Sequence, residues 1–251
     1  MKPTIKLLPL FCAGLGILTA ALRLMQASFG TDQKGLLILW HPLDLLVWAV
    51  TAAAVILGVL TVQKLDGSNL YADNFGPANP AAIGCTALMG GIAAVVSAVP
   101  NIFIRLEVVR MYLGLLALPA LLWVGVCRIR GKQPFFLFHG AVCLYLVIHT
   151  VSHYQGWCAR PLLHSFFFPM AASICLTLFA YYQTAFDVEL GNRRMLLGTG
   201  LLGSFLCLAA AAGGEDLMLY LGGAIWMLTN LCSLTPVPKK EVPAPKKEET
   251  P

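Results

Sequence analysis

The sequence predicts an all-α, polytopic integral membrane protein: a bundle of about eight transmembrane helices with both termini in the cytoplasm. Of its 251 residues, 58% are hydrophobic and 12% are charged, whereas soluble domains carry about 25% charged residues. The hydrophobic residues fall into runs of about 20, the length that a helix needs to cross a bilayer. Because these runs and their connections occupy residues 1–234, we expect no large soluble domain.

Charged residues, prolines and polar connections separate the apolar runs. Asn79 followed by Pro80 marks a helix start, with Asn79 as the N-cap and Pro80 in the first turn. The first run follows Lys2 and Lys6, as in a cleaved signal peptide, but Arg23 stands where a cleavage site needs small neutral residues, so a retained helix is favoured. The predicted spans are residues 7–25, 40–62, 80–100, 106–127, 135–153, 162–182, 195–212 and 217–234.

The distribution of lysine and arginine predicts the orientation, because cytoplasmic loops are enriched in both. One side of the eight-span arrangement receives Lys2, Lys6, Lys64, Arg128, Arg130, Lys132, Arg193, Arg194, Lys239, Lys240, Lys246 and Lys247. The other side receives only Arg23, Lys34, Arg105, Arg110 and Arg160. We therefore place both termini in the cytoplasm, and the expected location is a bacterial cytoplasmic membrane.

Residues 235–251 repeat the hexapeptide PxPKKE and are rich in proline, lysine and glutamate. Such a segment cannot bury a core, so it is predicted to be a disordered cytoplasmic tail. The other basic residues stand in small groups at the ends of apolar runs, which is typical of orientation charges and not of a nucleic-acid-binding surface. The expected partner is the lipid bilayer, nucleic acid is excluded, and protein partners are not identified.

Four of the five histidines lie within residues 139–164. His149 and His153 are four residues apart and so share one helix face, with Tyr145 one turn below His149. This spacing allows two imidazoles to bind one metal ion, although zinc normally takes three or four protein ligands. His139, near the other end of the same span, is expected to be an interfacial residue.

The eight-span arrangement brings polar residues from four segments to the outer third of the bundle. Asp44 is the most informative of them, because a carboxylate in hydrocarbon is costly. It should therefore face the bundle and pair with His41, Arg105 or Arg110, unless water at the interface solvates it. The candidate ligand-binding residues are Asp44, His41, Arg105, Glu107, Arg110 and His149, and the candidate metal ligands are His149, His153, His164 and His41.

Three functions are compatible with this cluster, alongside a purely structural role. The favoured one is a non-enzymatic protein that binds or transports a small molecule, an anion held by the arginines, through an outward-facing polar pocket. The second is a metal-dependent membrane hydrolase, in which a zinc-like ion activates water at the outer leaflet. The third is a non-catalytic subunit of a larger complex. Haem is not expected, because His139 and His149 lie about 15 Å apart along one helix. Neither has an obvious second histidine on a facing helix at the same depth to complete a pair of axial ligands.

Common nucleotide-binding and hydrolase motifs do not explain the chain. Residues 198–203 match GxGxxG, but they lie in an apolar span with no preceding strand, so they predict close helix packing and not a dinucleotide site. The sequence contains no GxSxG, no HExxH and no P-loop. The eight cysteines form no CxxC pair, and most should be small buried residues.

Overall fold

A computed structural model describes residues 3–30, 38, 41–63, 69–75, 79–98, 105–157, 166–214 and 216–235. These residues form nine α-helices and no β-strand: α1 (Pro3–Phe29), α2 (Pro42–Gln63), α3 (Tyr71–Asn74), α4 (Pro80–Ser97), α5 (Arg105–Ile129), α6 (Phe136–Trp157), α7 (Phe167–Asp187), α8 (Arg193–Ala211) and α9 (Leu217–Ser233).

Helices α1, α2, α4, α5, α6 and α8 are each long and apolar enough to cross a membrane. The predicted all-α fold class and the polytopic membrane bundle are therefore confirmed. Helix α7 matches the sixth predicted span, and α9, which has 17 residues, matches the eighth. The total of eight spans and the orientation remain predictions.

Local sequence accounts for the helix starts that bear on the fold. The Asn79 side chain accepts a hydrogen bond from the Ala81 amide at 3.1 Å, and Pro80 follows it, as predicted. Asn192 caps α8 in the same way, accepting from the amides of Arg194 and Met195. At each helix start, the asparagine side chain thus accepts a hydrogen bond from a backbone amide that has no partner inside the helix.

The six helices α4 to α9 form a closed ring, which we call the helix ring. Each of them contacts the next, and α9 returns to contact α4. Helices α1 and α2 lie outside the ring against α8. The largest fully buried side chains all come from ring helices, and they include Trp226, Tyr145, Tyr220, Phe179, Met89 and Leu121.

Glycines allow two of the ring contacts to be close. A Cβ atom on Gly90 of α4 would lie 3.1 Å from the Ala117 carbonyl oxygen of α5, and one on Gly203 of α8 would lie 2.8 Å from the Met227 sulfur of α9. A larger residue at either position would push the two helices apart. The GxGxxG segment, of which Gly203 is the last residue, thus includes a packing contact, as the sequence predicted.

The C-terminal end of α9 is fastened to the segment around α3. Phe75 and Leu234 form an isolated antiparallel bridge, and the Thr235 amide donates to the Asn74 carbonyl at 3.0 Å. Arg193 donates to Asn74 Oδ1 and to the Thr235 carbonyl. Thr235, the first residue of the predicted tail, is therefore held in place, and the rest of that tail lies outside the described residues.

Candidate metal centre

His149, His153 and Asp216 meet at one end of the helix ring. Both histidines are on α6, and Asp216 is the residue that precedes α9. Asp216 Oδ2 lies 3.5 Å from His149 Nε2 and 3.2 Å from His153 Nε2, and one potential ligand atom from each residue lies within 4.8 Å of the others. Two atoms bound to a tetrahedral zinc ion at about 2.0–2.1 Å are roughly 3.3–3.4 Å apart. The spacing of these three residues, the candidate metal centre, suits a single ion.

The His149 side chain has the environment of a ligand. It is 0% exposed, and neither of its ring nitrogens forms a hydrogen bond. A neutral imidazole has one N–H donor and one acceptor nitrogen, and leaving such a group buried without a partner costs about 1–3 kcal/mol. A bound cation would satisfy the acceptor nitrogen.

The backbone of the turn before α9 directs Asp216 towards α6. Asp216 has left-handed dihedrals, with φ of 49° and ψ of 33°, and Gly214 two residues earlier has φ of 77°. Aspartate is one of the few residues other than glycine that tolerates this conformation. The turn places its carboxylate beside two histidines of a helix that is not adjacent to α9 in the ring.

Two charged residues of α5 adjoin the candidate metal centre. Arg110 Nη2 lies 2.5 Å from Glu107 Oε2, and the Ser152 hydroxyl donates to the other carboxylate oxygen of Glu107. Arg110 Nη1 lies 3.0 Å from His153 Nε2, and Arg110 is 7% exposed. The sequence placed Glu107, Arg110, His149 and His153 at one level of the bundle, and the structure brings these four together.

The contact between Arg110 and His153 constrains the hydrogen-bonding role of the imidazole nitrogen. A guanidinium group has only N–H donors, so His153 Nε2 accepts this hydrogen bond and carries a lone pair. Two acceptors, this nitrogen and Asp216 Oδ2, then face each other at 3.2 Å and repel unless a cation lies beside them. Arg110 is one such cation, and a metal ion bound at the same nitrogen would be another.

Two other predicted site residues, Asp44 and His41, lie away from the candidate metal centre. Gln26 Nε2 of α1 donates to Asp44 Oδ1 at 3.0 Å, so the partner that the structure gives Asp44 is outside the expected three. His41 Nδ1 accepts from the Leu43 amide at 3.3 Å at the start of α2, outside the ring. The side chain of Arg105 and the whole of His164 lie outside the described residues.

A second polar cluster occupies the opposite end of the ring. Arg128 donates to Asn230 Oδ1 at 2.5 Å and to Gln183 Oε1 at 2.8 Å, so it joins α5 to α9 and α7. His139 Nδ1 lies 2.5 Å from Asp187 Oδ2, and their side chains are 1% and 0% exposed. The sequence did not predict this partner for His139, because α7 continues beyond its predicted end at residue 182 and carries Asp187 to it.

Asp216 is the member of the candidate metal centre that sequence reasoning missed. It falls in the connection between the seventh and eighth predicted spans, where an acidic residue is unremarkable. A topological signal was present, because in the eight-span arrangement this connection lies on the same side of the membrane as His149 and His153. Acidic residues of short turns therefore need to be considered together with histidines at the same helix end.

Comparison with known proteins found no matching family model, no matching curated protein and no matching solved structure. The function is therefore inferred from the geometry and chemistry of the site.

Proposed function

We propose that this multi-pass membrane protein binds one zinc-like divalent ion through His149, His153 and Asp216, and that it is a metal-dependent hydrolase. The observation that carries the proposal is the approach of three ligand atoms to within 4.8 Å, with histidine-to-carboxylate spacings of 3.5 and 3.2 Å. Catalytic zinc sites use three protein ligands and leave a fourth position for water, whereas structural sites are closed by four.

The neighbouring side chains support hydrolysis. A bound zinc ion lowers the pKa of its water ligand and so supplies a nucleophile at neutral pH. Glu107, oriented by Arg110 and Ser152, is the candidate for the group that accepts and returns the proton. Arg110 is the candidate for stabilising the negative charge that develops on the substrate. In the eight-span orientation, this chemistry takes place at the outer leaflet, on a lipid or peptide substrate.

The Arg110 contact favours a second candidate function, in which no metal binds. The guanidinium then remains the cation beside His153, and it holds a small anionic molecule that the protein binds or transports. The two candidates differ in whether a metal ion or the Arg110 guanidinium occupies His153 Nε2. Metal content therefore distinguishes them directly.

Metal analysis of the purified protein is expected to give about one equivalent of zinc per chain, the content of a single-ion site. The Asp216→Asn variant replaces the charged carboxylate ligand by a neutral amide of the same shape. Loss of a group that only hydrogen-bonds to a metal ligand already costs about 10- to 100-fold in affinity, so the zinc affinity of this variant should fall by roughly 100-fold. Asp44→Asn is the matched control, because it removes a carboxylate that has its own partner, Gln26. It should keep the zinc.

Equal zinc affinity in the Asp216→Asn and wild-type proteins, measured by competition with a chelator, would refute this ligand set. A wild-type protein without zinc after incubation with the metal, whose thermal stability rises with a small anion, would support the second candidate. In that case, Arg110→Gln should abolish the anion effect.

A further inference from the structure

A cavity of about 580 Å³ opens at the opposite end of the bundle from the candidate metal centre. It is bounded by α3, by the start of α4, and by the end of α5 with the turn that follows. Its volume lies within the roughly 300–1,000 Å³ of small-molecule sites and is well above what a bare inorganic ion needs. Since it lies at helix termini, it faces the membrane surface.

Arg128 gives the wall of this cavity a fixed positive charge. Its two terminal nitrogens donate to the neutral amides of Asn230 and Gln183, and its guanidinium lies over the Phe75 ring, 5.1 Å from the centroid. Its Nε is buried and forms no hydrogen bond. Among the described residues, no carboxylate lies within ion-pair distance of Arg128. A half-buried cation held only by neutral groups favours a bound anion.

Two further residues of the wall suit an anion. Lys132 is exposed and adds a second positive charge, and Glu189 is the one carboxylate among the described residues that line the cavity. Tyr71 also lines the cavity, and burial raises the pKa of its hydroxyl more than the neighbouring Arg128 lowers it. The hydroxyl therefore keeps its proton at neutral pH and can donate a hydrogen bond.

We propose that this cavity binds a phosphate ester, with Arg128 and Lys132 as its charge partners and Tyr71 as a hydrogen-bond donor. Guanidinium and ammonium groups are the usual partners of phosphate oxygens. Basic pockets between transmembrane helices bind anionic lipid headgroups in this manner. The ester is either the headgroup of an anionic phospholipid or a free organic phosphate, and both present the same group to the wall.

The test measures binding to the purified, delipidated full-length protein in a neutral detergent. Phosphatidylglycerol, glycerol 3-phosphate and zwitterionic phosphatidylcholine are the three probes. Lys132→Gln should weaken binding of the anionic probe roughly fivefold, the contribution of one basic residue near an anionic surface. Arg130→Gln is the matched control, because Arg130 is exposed, two residues away and does not line the cavity. It should leave the affinity unchanged.

Binding of phosphatidylglycerol but not of glycerol 3-phosphate identifies a lipid site, and binding of both identifies a site for free phosphate esters. Equal losses in Lys132→Gln and Arg130→Gln would overturn the proposal, because they would show attraction to the surface charge alone. Equal affinity for phosphatidylcholine, or no binding of any probe, would also overturn it. Zinc content should be unchanged in both variants, since they lie at the other end of α5 from Arg110.

Discussion

The double variant His149→Ala, His153→Ala is expected to lower zinc affinity by at least roughly 100-fold and to abolish zinc-dependent hydrolysis. Loss of a contact that merely orients a metal ligand already costs about 10- to 100-fold in affinity, and here two ligands are removed. The hydrolysis is measured on dispersed phospholipids and peptides after the purified protein has been reloaded with zinc. Zinc affinity is measured by competition with a chelating dye.

The adjacent residues of α6 supply a control for this variant. Thr150→Ala with Tyr154→Phe also changes two positions four apart on the same helix. The Thr150 hydroxyl donates to the Leu146 carbonyl of its own helix, and Tyr154 is 49% exposed. This control should keep both zinc and activity. If hydrolysis persists in the double histidine variant after every trace of zinc has been removed, the metal-dependent mechanism is wrong.

His139→Leu is expected to lower the free energy of unfolding by about 3–5 kcal/mol, because it leaves the Asp187 carboxylate buried without its partner. The pair is fully enclosed between α6 and α7, and Asp187 Oδ1 and His139 Nε2 form no hydrogen bond that would compensate. Denaturant titration of the protein in mixed micelles measures the change.

The double variant His139→Leu, Asp187→Leu tests the cause of this loss. When both partners are replaced by apolar residues, no buried charge remains, so the double variant should be more stable than His139→Leu alone. If the losses of stability in His139→Leu and Asp187→Leu add up to the loss in the double variant, each side chain acts through packing. The ion-pair interpretation would then be wrong.

The sequence predicted the helices well and the polar residues at their ends less well. The Asn79–Pro80 start was found because capping depends on adjacent residues. The end of α7 was placed five residues early, since Gln183 and Asp187 look like a polar connection. They are buried, and they serve as partners of Arg128 and His139. A polar residue paired inside a bundle cannot be told from a solvated one until its partner is known.

The members of the candidate metal centre and its neighbours also differ in how far the sequence predicts their positions. The helical period places His149 and His153 on one face, and chain topology brings Glu107 and Arg110 to their level. Asp216 depends on a left-handed turn and on a contact across the ring, which are properties of the folded chain. Asp44 drew attention as a carboxylate in an apolar run, yet α2 lies outside the ring.

X-ray absorption at the zinc edge of the zinc-loaded protein tests the candidate metal centre most directly. We expect nitrogen and oxygen ligands at about 2.0–2.2 Å, together with the outer-shell scattering of two imidazole rings. The imidazole scattering should disappear in the His149→Ala, His153→Ala variant. A zinc–sulfur distance of about 2.3 Å would place the metal on the cysteines and contradict the assignment. So would a protein that takes up no zinc.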